Sequence, residues 1–147
     1  RIPRISFFLD RWIRHGGWTP DYQTRLFHRK HSMWNEAVIH EQVVAEKRAE
    51  LRGQIQHYVF RNLSHQVETN NRYSTLLAQQ DYQKGKRFSI FRLFFKPPIK
   101  FVETYLYKLG ILDGLPGFLI SVSAAYSIFL RQAKLWELAK QSSAKGS

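Results

Sequence analysis

Residues 114–130 form a run of 17 without a charged side chain, Gly-Leu-Pro-Gly-Phe-Leu-Ile-Ser-Val-Ser-Ala-Ala-Tyr-Ser-Ile-Phe-Leu, and this run constrains the fold more than any other feature. Such a segment has to leave water, either in a protein core or in a bilayer. A spanning helix asks for about 20 apolar residues. This run is shorter, opens on Gly and Pro and holds three Ser, so it reads as a buried or half-inserted helix. Residues 131–140 continue it as an amphipathic helix, and residues 141–147 read as a frayed polar tail.

The segment before it is of another kind. Phe88, Ile90, Phe91, Leu93, Phe94, Phe95, Ile99, Phe101, Val102, Tyr105, Leu106 and Leu109 are interleaved with Arg92, Lys96, Lys100 and Lys108. Residues 84–108 hold seven basic residues against the single acid Glu103. This is the composition of an amphipathic segment lying in a membrane interface, with basic stems reaching toward headgroups and aromatics at the boundary. Lys86, Arg87, Phe91, Arg92, Phe94, Phe95, Lys96 and Lys100 are the expected membrane-associating residues. Pro97-Pro98 is expected to break or restart the helix there.

Over the whole chain, 23 Lys and Arg face 11 Asp and Glu, a net charge of +12. That predicts attraction to a polyanion without choosing among nucleic acid, an anionic membrane and phosphorylated small molecules. With 15 % aromatic and 44 % hydrophobic residues, the surplus charge sits on something folded. No cysteine is present, which excludes disulfides, a thiolate nucleophile and Cys-ligated metal. All six His lie in residues 1–80, so proton or metal chemistry belongs to that half.

In that half, Gly16-Gly17 and Pro20-Asp21 punctuate a loop around Trp18. Residues 22–29 alternate loosely and read as a strand, with Tyr22, Thr24 and Leu26 on one face and Gln23, Arg25 and Phe27 on the other. Residues 37–41 read as a brief strand ending in His40-Glu41, and residues 53–60 as a third, with Ile55, His57 and Val59 sharing a face. After the N-cap Asn62, residues 63–83 form a helix on which Val67, Tyr73, Leu76, Leu77 and Gln80 fall at helical spacing, ended by Gly85. The fold class is α+β, a few short strands followed by amphipathic helices. The first Arg in place of Met, with no signal-peptide pattern, reads as a fragment of a longer protein.

Three groups carry candidate chemistry. His40-Glu41 at a strand end suits a general base, against a solvated Glu beside a packing His. His57 suits a metal ligand, against a hydrogen-bonded core histidine. Gln23, Arg25 and Arg29 beside Trp18 suit phosphate oxygens and a sugar face, against a plain basic strand edge. No H-E-x-x-H, Walker or G-x-G-x-x-G pattern occurs, nor any nucleic-acid-binding signature, so nucleic acid is not an expected partner.

The run Arg11-Trp12-Ile13-Arg14-His15-Gly16-Gly17-Trp18-Thr19-Pro20-Asp21-Tyr22-Gln23-Thr24-Arg25-Leu26-Phe27-His28-Arg29 resembles a block of bacterial family 2 glycosyltransferases, in the branch of lipopolysaccharide-core β-glucosyltransferases. Val38-Ile39-His40-Glu41, Gly53-Gln54-Ile55-Gln56-His57-Tyr58 and the stretch from Tyr107 through Leu112-Asp113-Gly114 to Phe118 match further motifs in the same order. The resemblance implies a GT-A type enzyme of which this chain is the acceptor-side, C-terminal half, with the nucleotide-binding strands and the Asp-x-Asp motif upstream. It implies residues 1–83 as the acceptor-side part, 84–140 as a membrane-associating helical region and 141–147 as a flexible tail.

The implied reaction is inverting transfer of a hexose such as glucose from a nucleotide-sugar donor to a lipid-anchored glycan acceptor. The implied location is the cytoplasmic face of the inner membrane, on an anionic membrane surface. Glu41, with His40, becomes the catalytic base. Trp18, Asp21, Gln23, Arg25 and Arg29 become donor or acceptor contacts, and His57 a ligand of the divalent metal, Mg or Mn, of the full-length enzyme. The fragment alone is expected to be inactive. The alternative is a non-enzymatic, basic membrane-surface binding module.

Overall fold

The computed structural model describes residues 1–28, 32–34, 43–45 and 49–145. Its sheet is built on β1 (Ile2–Phe8). One edge of β1 pairs in parallel with β6 (Ile55–Tyr58), setting Ser6 beside His57 and Arg4 beside Ile55. The other edge carries two short antiparallel strands end to end, β2 (Arg11–Ile13) against Ser6–Phe8 and β3 (Asp21–Gln23) against Ile2–Arg4. Ser6 faces Ile13, so an unbroken register would set Arg4 against His15; it faces Asp21 instead, and six residues are looped out. This excursion is the Gly-Gly-Trp segment, one 3₁₀ turn over Gly16–Trp18. A separate antiparallel pair joins β4 (Ser32–Trp34) to β5 (Val43–Ala45).

Three helices follow. Helix α1 (Leu63–Gln83) starts where the Asn62 side chain accepts from the His65 N–H at 2.9 Å, and stops at Lys84 and the positive-φ Gly85. Helix α2 (Ile90–Val102) is capped by Ser89 and runs on through a π-helical turn, Glu103–Tyr107. A 3₁₀ turn, Gly110–Asp113, then leads into α3 (Gly114–Lys145), the 32-residue spine against which α1 and α2 both pack. The early turns of α3 also seal the sheet: Ile120 is buried with Phe8 and Ile13, and Trp18, Phe60 and Leu119 close around them. Burying side chains of this size stabilises by roughly 1.5–3 kcal/mol each.

Several expectations are corrected. Pro97-Pro98 lies inside α2 without breaking it. Their fixed φ of about −65° is already helical, so the cost is confined to the lost N–H donors and ring crowding against the preceding turn. The strands at 22–29 and 53–60 are shorter, β3 and β6, and the strand at 37–41 lies outside the described residues. The polar run from residue 141 is helical to Lys145.

Of the apolar residues at helical spacing on α1, Val67 is exposed and Tyr73, Leu76 and Leu77 are half-buried. The helix buries Gln66, Ser74, Ala78 and Asp81. The reason lies on α3, whose cations enter this seam. Arg131 reaches Asp81 at 2.6 Å, and Lys134 Nζ lies 2.6–2.9 Å from acceptors on Asn71, Ser74 and Thr75. Cations at a helix interface require polar partners.

Candidate functional site

Two constellations flank β1. The first holds the six-residue excursion. Asp113, at the end of the 3₁₀ turn before α3, is only 5 % exposed. Its carboxylate accepts from the main-chain N–H of His15 at 2.8 Å and of Arg14 at 3.2 and 3.3 Å, and its Oδ1 lies 3.2 Å from His15 Nδ1. The Asp113 carbonyl accepts from Arg11, and the Gly16 N–H donates to the Lys108 carbonyl at 2.8 Å. Thr19 Oγ1 closes the far side on the Ile13 carbonyl.

The clasp needs close backbone packing beneath it. A Cβ at Gly117 would stand 1.9 Å from the Gly110 carbonyl oxygen, and one at Gly110 2.6 Å from the Thr104 carbonyl oxygen. The spacing of Gly110, Asp113 and Gly117 is thus the requirement for seating α3 under the loop.

The second constellation sits on the β3 and β6 sides of β1. Asp21 Oδ2 accepts from Arg4 Nε at 2.6 Å, and Asp21 Oδ1 accepts from Gln23 Nε2 at 2.6 Å. Both carboxylate oxygens are therefore engaged in fixing Arg4 and Gln23. His57, on the inward side of β6 with Ile55, has a buried Nδ1 with no partner among the described residues. Burial, then the Arg4 charge, pulls the His57 pKa below the ordinary histidine value; Asp21 opposes and Arg25 adds to the lowering. The lowering favours the neutral imidazole, whose Nδ1 is buried from solvent with its hydrogen-bonding capacity unused.

The expected site residues divide. Asp21 and Gln23 come together on β3, and Asp21 and Arg25 bear on His57 through their charges. Trp18 packs instead against Phe8 and Phe60, with ring centroids 5.4 and 5.8 Å away. Glu41, His40 and Arg29 lie outside the described residues. Among the described residues no three His, Asp or Glu side chains are placed to hold a metal ion, and both Asp21 oxygens already accept hydrogen bonds from Arg4 and Gln23. The described residues therefore give the expected divalent metal no complete ligand set.

Of the expected membrane-associating residues, Phe91, Arg92, Phe94, Phe95, Lys96 and Arg87 are exposed. Lys86 is bound to the buried Asp81 at 2.7 Å and Lys100 to Glu103 at 3.0 Å. Sequence reasoning gave no role to Arg4, Arg11, Arg14, His15 or Asp113. The one available signal was Asp113 itself, the sole acid adjoining a long uncharged run.

Over 104 residues, 70 % of its length, the chain is 33 % identical to the lipopolysaccharide core biosynthesis glycosyltransferase LpsC of Rhizobium meliloti, covering 37 % of that protein. Over 128 residues, 80 % of its length, it is 30 % identical to an uncharacterized glycosyltransferase of Rickettsia typhi, covering 44 % of it. A further uncharacterized glycosyltransferase, of Rickettsia prowazekii, is 29 % identical over 129 residues. The chain is similar to bacterial glycosyltransferases. The chain spans less than half the length of these relatives. No family model matches it, and no solved structure does.

Proposed function

We propose that the chain is the acceptor-side, C-terminal part of a GT-A type glycosyltransferase. The enzyme moves a hexose such as glucose from a nucleotide-sugar to a lipopolysaccharide-core or other cell-envelope glycan at the cytoplasmic face of the inner membrane. The observation that carries the reading is the polar constellation on β1. Asp21 holds Arg4 and Gln23, and the charges of Arg4 and Asp21 reach His57 across β1, in a chain similar to glycosyltransferases along most of its length.

In the proposed reaction Glu41 takes the proton of the acceptor hydroxyl as that oxygen attacks the anomeric carbon from the face opposite the leaving group. The bond from anomeric carbon to diphosphate oxygen breaks, the nucleoside diphosphate departs with the electron pair, and the configuration inverts. Arg25 and Arg29 meet phosphate oxygens, and Gln23 and His57 orient hydroxyls or the diphosphate by hydrogen bonds. The 147-residue chain alone transfers no sugar.

The test is Glu41→Gln in the full-length enzyme, assayed with nucleotide-sugar, divalent metal and a lipid-linked acceptor extract. A lost general base lowers turnover by about 10²–10⁴-fold, with donor affinity retained. An active Glu41→Gln enzyme overturns the base assignment. Absence of turnover by the wild-type enzyme across donors and acceptors overturns the transferase reading in favour of a membrane-surface module.

A further inference from the structure

Helix α2 buries none of its residues, although it is the most apolar helix of the chain. Its exposed positions Phe91, Phe94, Phe95, Ile99 and Val102 recur at i, i+3, i+4, i+8 and i+11, which is one helical face. The exposed apolar surface then continues around the turn into α3. Leu106, Tyr107, Leu109, Ile111, Leu112 and Leu115 are all exposed, Tyr107 reaching 84 %. Beneath this ridge Phe118 of α3 meets Phe101 and Tyr105 at ring-centroid distances of 5.7 and 5.6 Å, which locks α2 and the turn to α3. Surfaces of this kind mark a partner.

The border of the ridge says which partner. Arg87, Arg92 and Lys96 are exposed, and the one acid of the segment, Glu103, is neutralised between Lys100 and Lys108 at 3.0 and 2.7 Å. A second copy of the chain would bring like charges together. A flat anionic lipid surface pairs with the basic border and takes up the apolar face.

Length and polar contacts decide how the surface is met. At about 1.5 Å per residue, α2 is shorter than the roughly 30 Å hydrocarbon core. Helix α3 is long and apolar enough to cross, but its middle is tied to α1 by Asn70 to Ser123, Asp81 to Arg131 and Asn71 to Lys134. Those polar groups cannot face lipid.

We propose that the ridge formed by α2 and residues 106–115 docks in the interface of an anionic bilayer with α2 in the membrane plane and α3 uninserted. The same docking presents the excursion at Arg14–His15 to the membrane surface. Asp113 and Lys108 belong to the docked turn and hold that loop directly through their hydrogen bonds. The physiological meaning rests on the transferase reading above; the docking itself does not.

The experiment uses the full-length protein and vesicles of phosphatidylglycerol with phosphatidylcholine, beside pure phosphatidylcholine, with no sugar donor or acceptor. Flotation is expected with the anionic vesicles and weakens with salt. Hydrogen exchange is expected to slow over residues 90–115 and to stay unchanged over α1. Each basic residue near an anionic surface contributes roughly a fivefold gain in affinity, so Arg92→Glu with Lys96→Glu is expected to lose about 25-fold or more. Phe91→Ser with Phe94→Ser and Phe95→Ser is expected to abolish flotation, while circular dichroism stays unchanged because these side chains are exposed.

No flotation, equal flotation of the triple serine variant, or protection along all of α3 overturns the proposal. A wild-type dimer that comes apart in the triple variant overturns it in favour of a second copy. A protein that transfers sugar but ignores vesicles loses only the docking, and one that floats but transfers nothing loses only the transferase reading.

Discussion

Replacing Asp113 with Ala tests whether one carboxylate holds the excursion in place. The substitution removes a short bond from the His15 N–H at 2.8 Å, a longer divided bond from the Arg14 N–H and the contact with the His15 ring at 3.2 Å. A hydrogen bond to a charged group contributes about 1.5–3 kcal/mol, and long, partly solvated ones toward the 0.5 kcal/mol end of the ordinary range. One of the first kind and two of the second give a loss of about 3 kcal/mol. For a chain of this length that corresponds to a Tm lower by roughly 6–12 °C.

Companion variants divide the effect. Asp113→Asn keeps one carbonyl acceptor and is expected to lose about half as much. His15→Ala removes only the ring contact and is expected to lose less than about 1 kcal/mol. Thermal unfolding followed by circular dichroism gives the totals, and hydrogen exchange at the His15 and Gly16 amides localises them. An Asp113→Ala protein that melts within about 2 °C of wild type, with the His15 amide still protected, refutes the clasp.

Two further outcomes concern titration. Burial pushes the Asp81 carboxyl up, but hydrogen bonds from Lys86 and Arg131 outweigh it and hold the pKa below the usual aspartate value. The Asp81 contribution is therefore complete above the ordinary value of about 3.9 and is withdrawn as pH falls below it toward the depressed folded value. Urea unfolding across that range should show a steeper acid loss in wild type than in Asp81→Asn; equal slopes would remove the linkage. His57 should titrate below the ordinary histidine value by NMR. Asp21→Asn should lower it further, because the Asp21 charge opposes the downward shift; an upward move would contradict the arrangement on β1.

Local signals in the chain are legible where a short range decides the structure. Asn62, the following helix formers and Gly85 mark α1 to the residue, because capping and chain reversal are decided within a turn. Periodicity likewise places Ile55 and His57 on one side of β6. It fails for the buried face of α1, because Arg131 and Lys134 lie 50 and 60 residues from Asp81 and Ser74 and make that seam polar. Pro97-Pro98 misleads because a helix packed on a neighbour tolerates the missing donors. The role of Asp113 is invisible for a different reason: its partners are main-chain N–H groups 98 and 99 residues distant, and no side-chain pattern reports those. In the candidate site, Gln23 and His57 were legible as polar residues on strands; Asp21 was read as a loop residue although it opens β3, and Arg4, in an apolar strand with no distinguishing neighbour, was not singled out.

The looped-out segment between β2 and β3 has an even number of residues, and this has a consequence for how the edge tolerates change. Side chains alternate across a strand, so an insertion of even length returns the chain to the same face of the sheet. Cutting out residues 15–20 would leave Ile13 against Ser6 and Asp21 against Arg4, with Arg14 now facing Ile5 and one continuous strand in place of two. The hairpin is thus complete without the loop. The Gly-Gly-Trp segment is cargo carried by a strand whose pairing it does not disturb, and loops of other even lengths could occupy the same place without re-registering the sheet that bears His57.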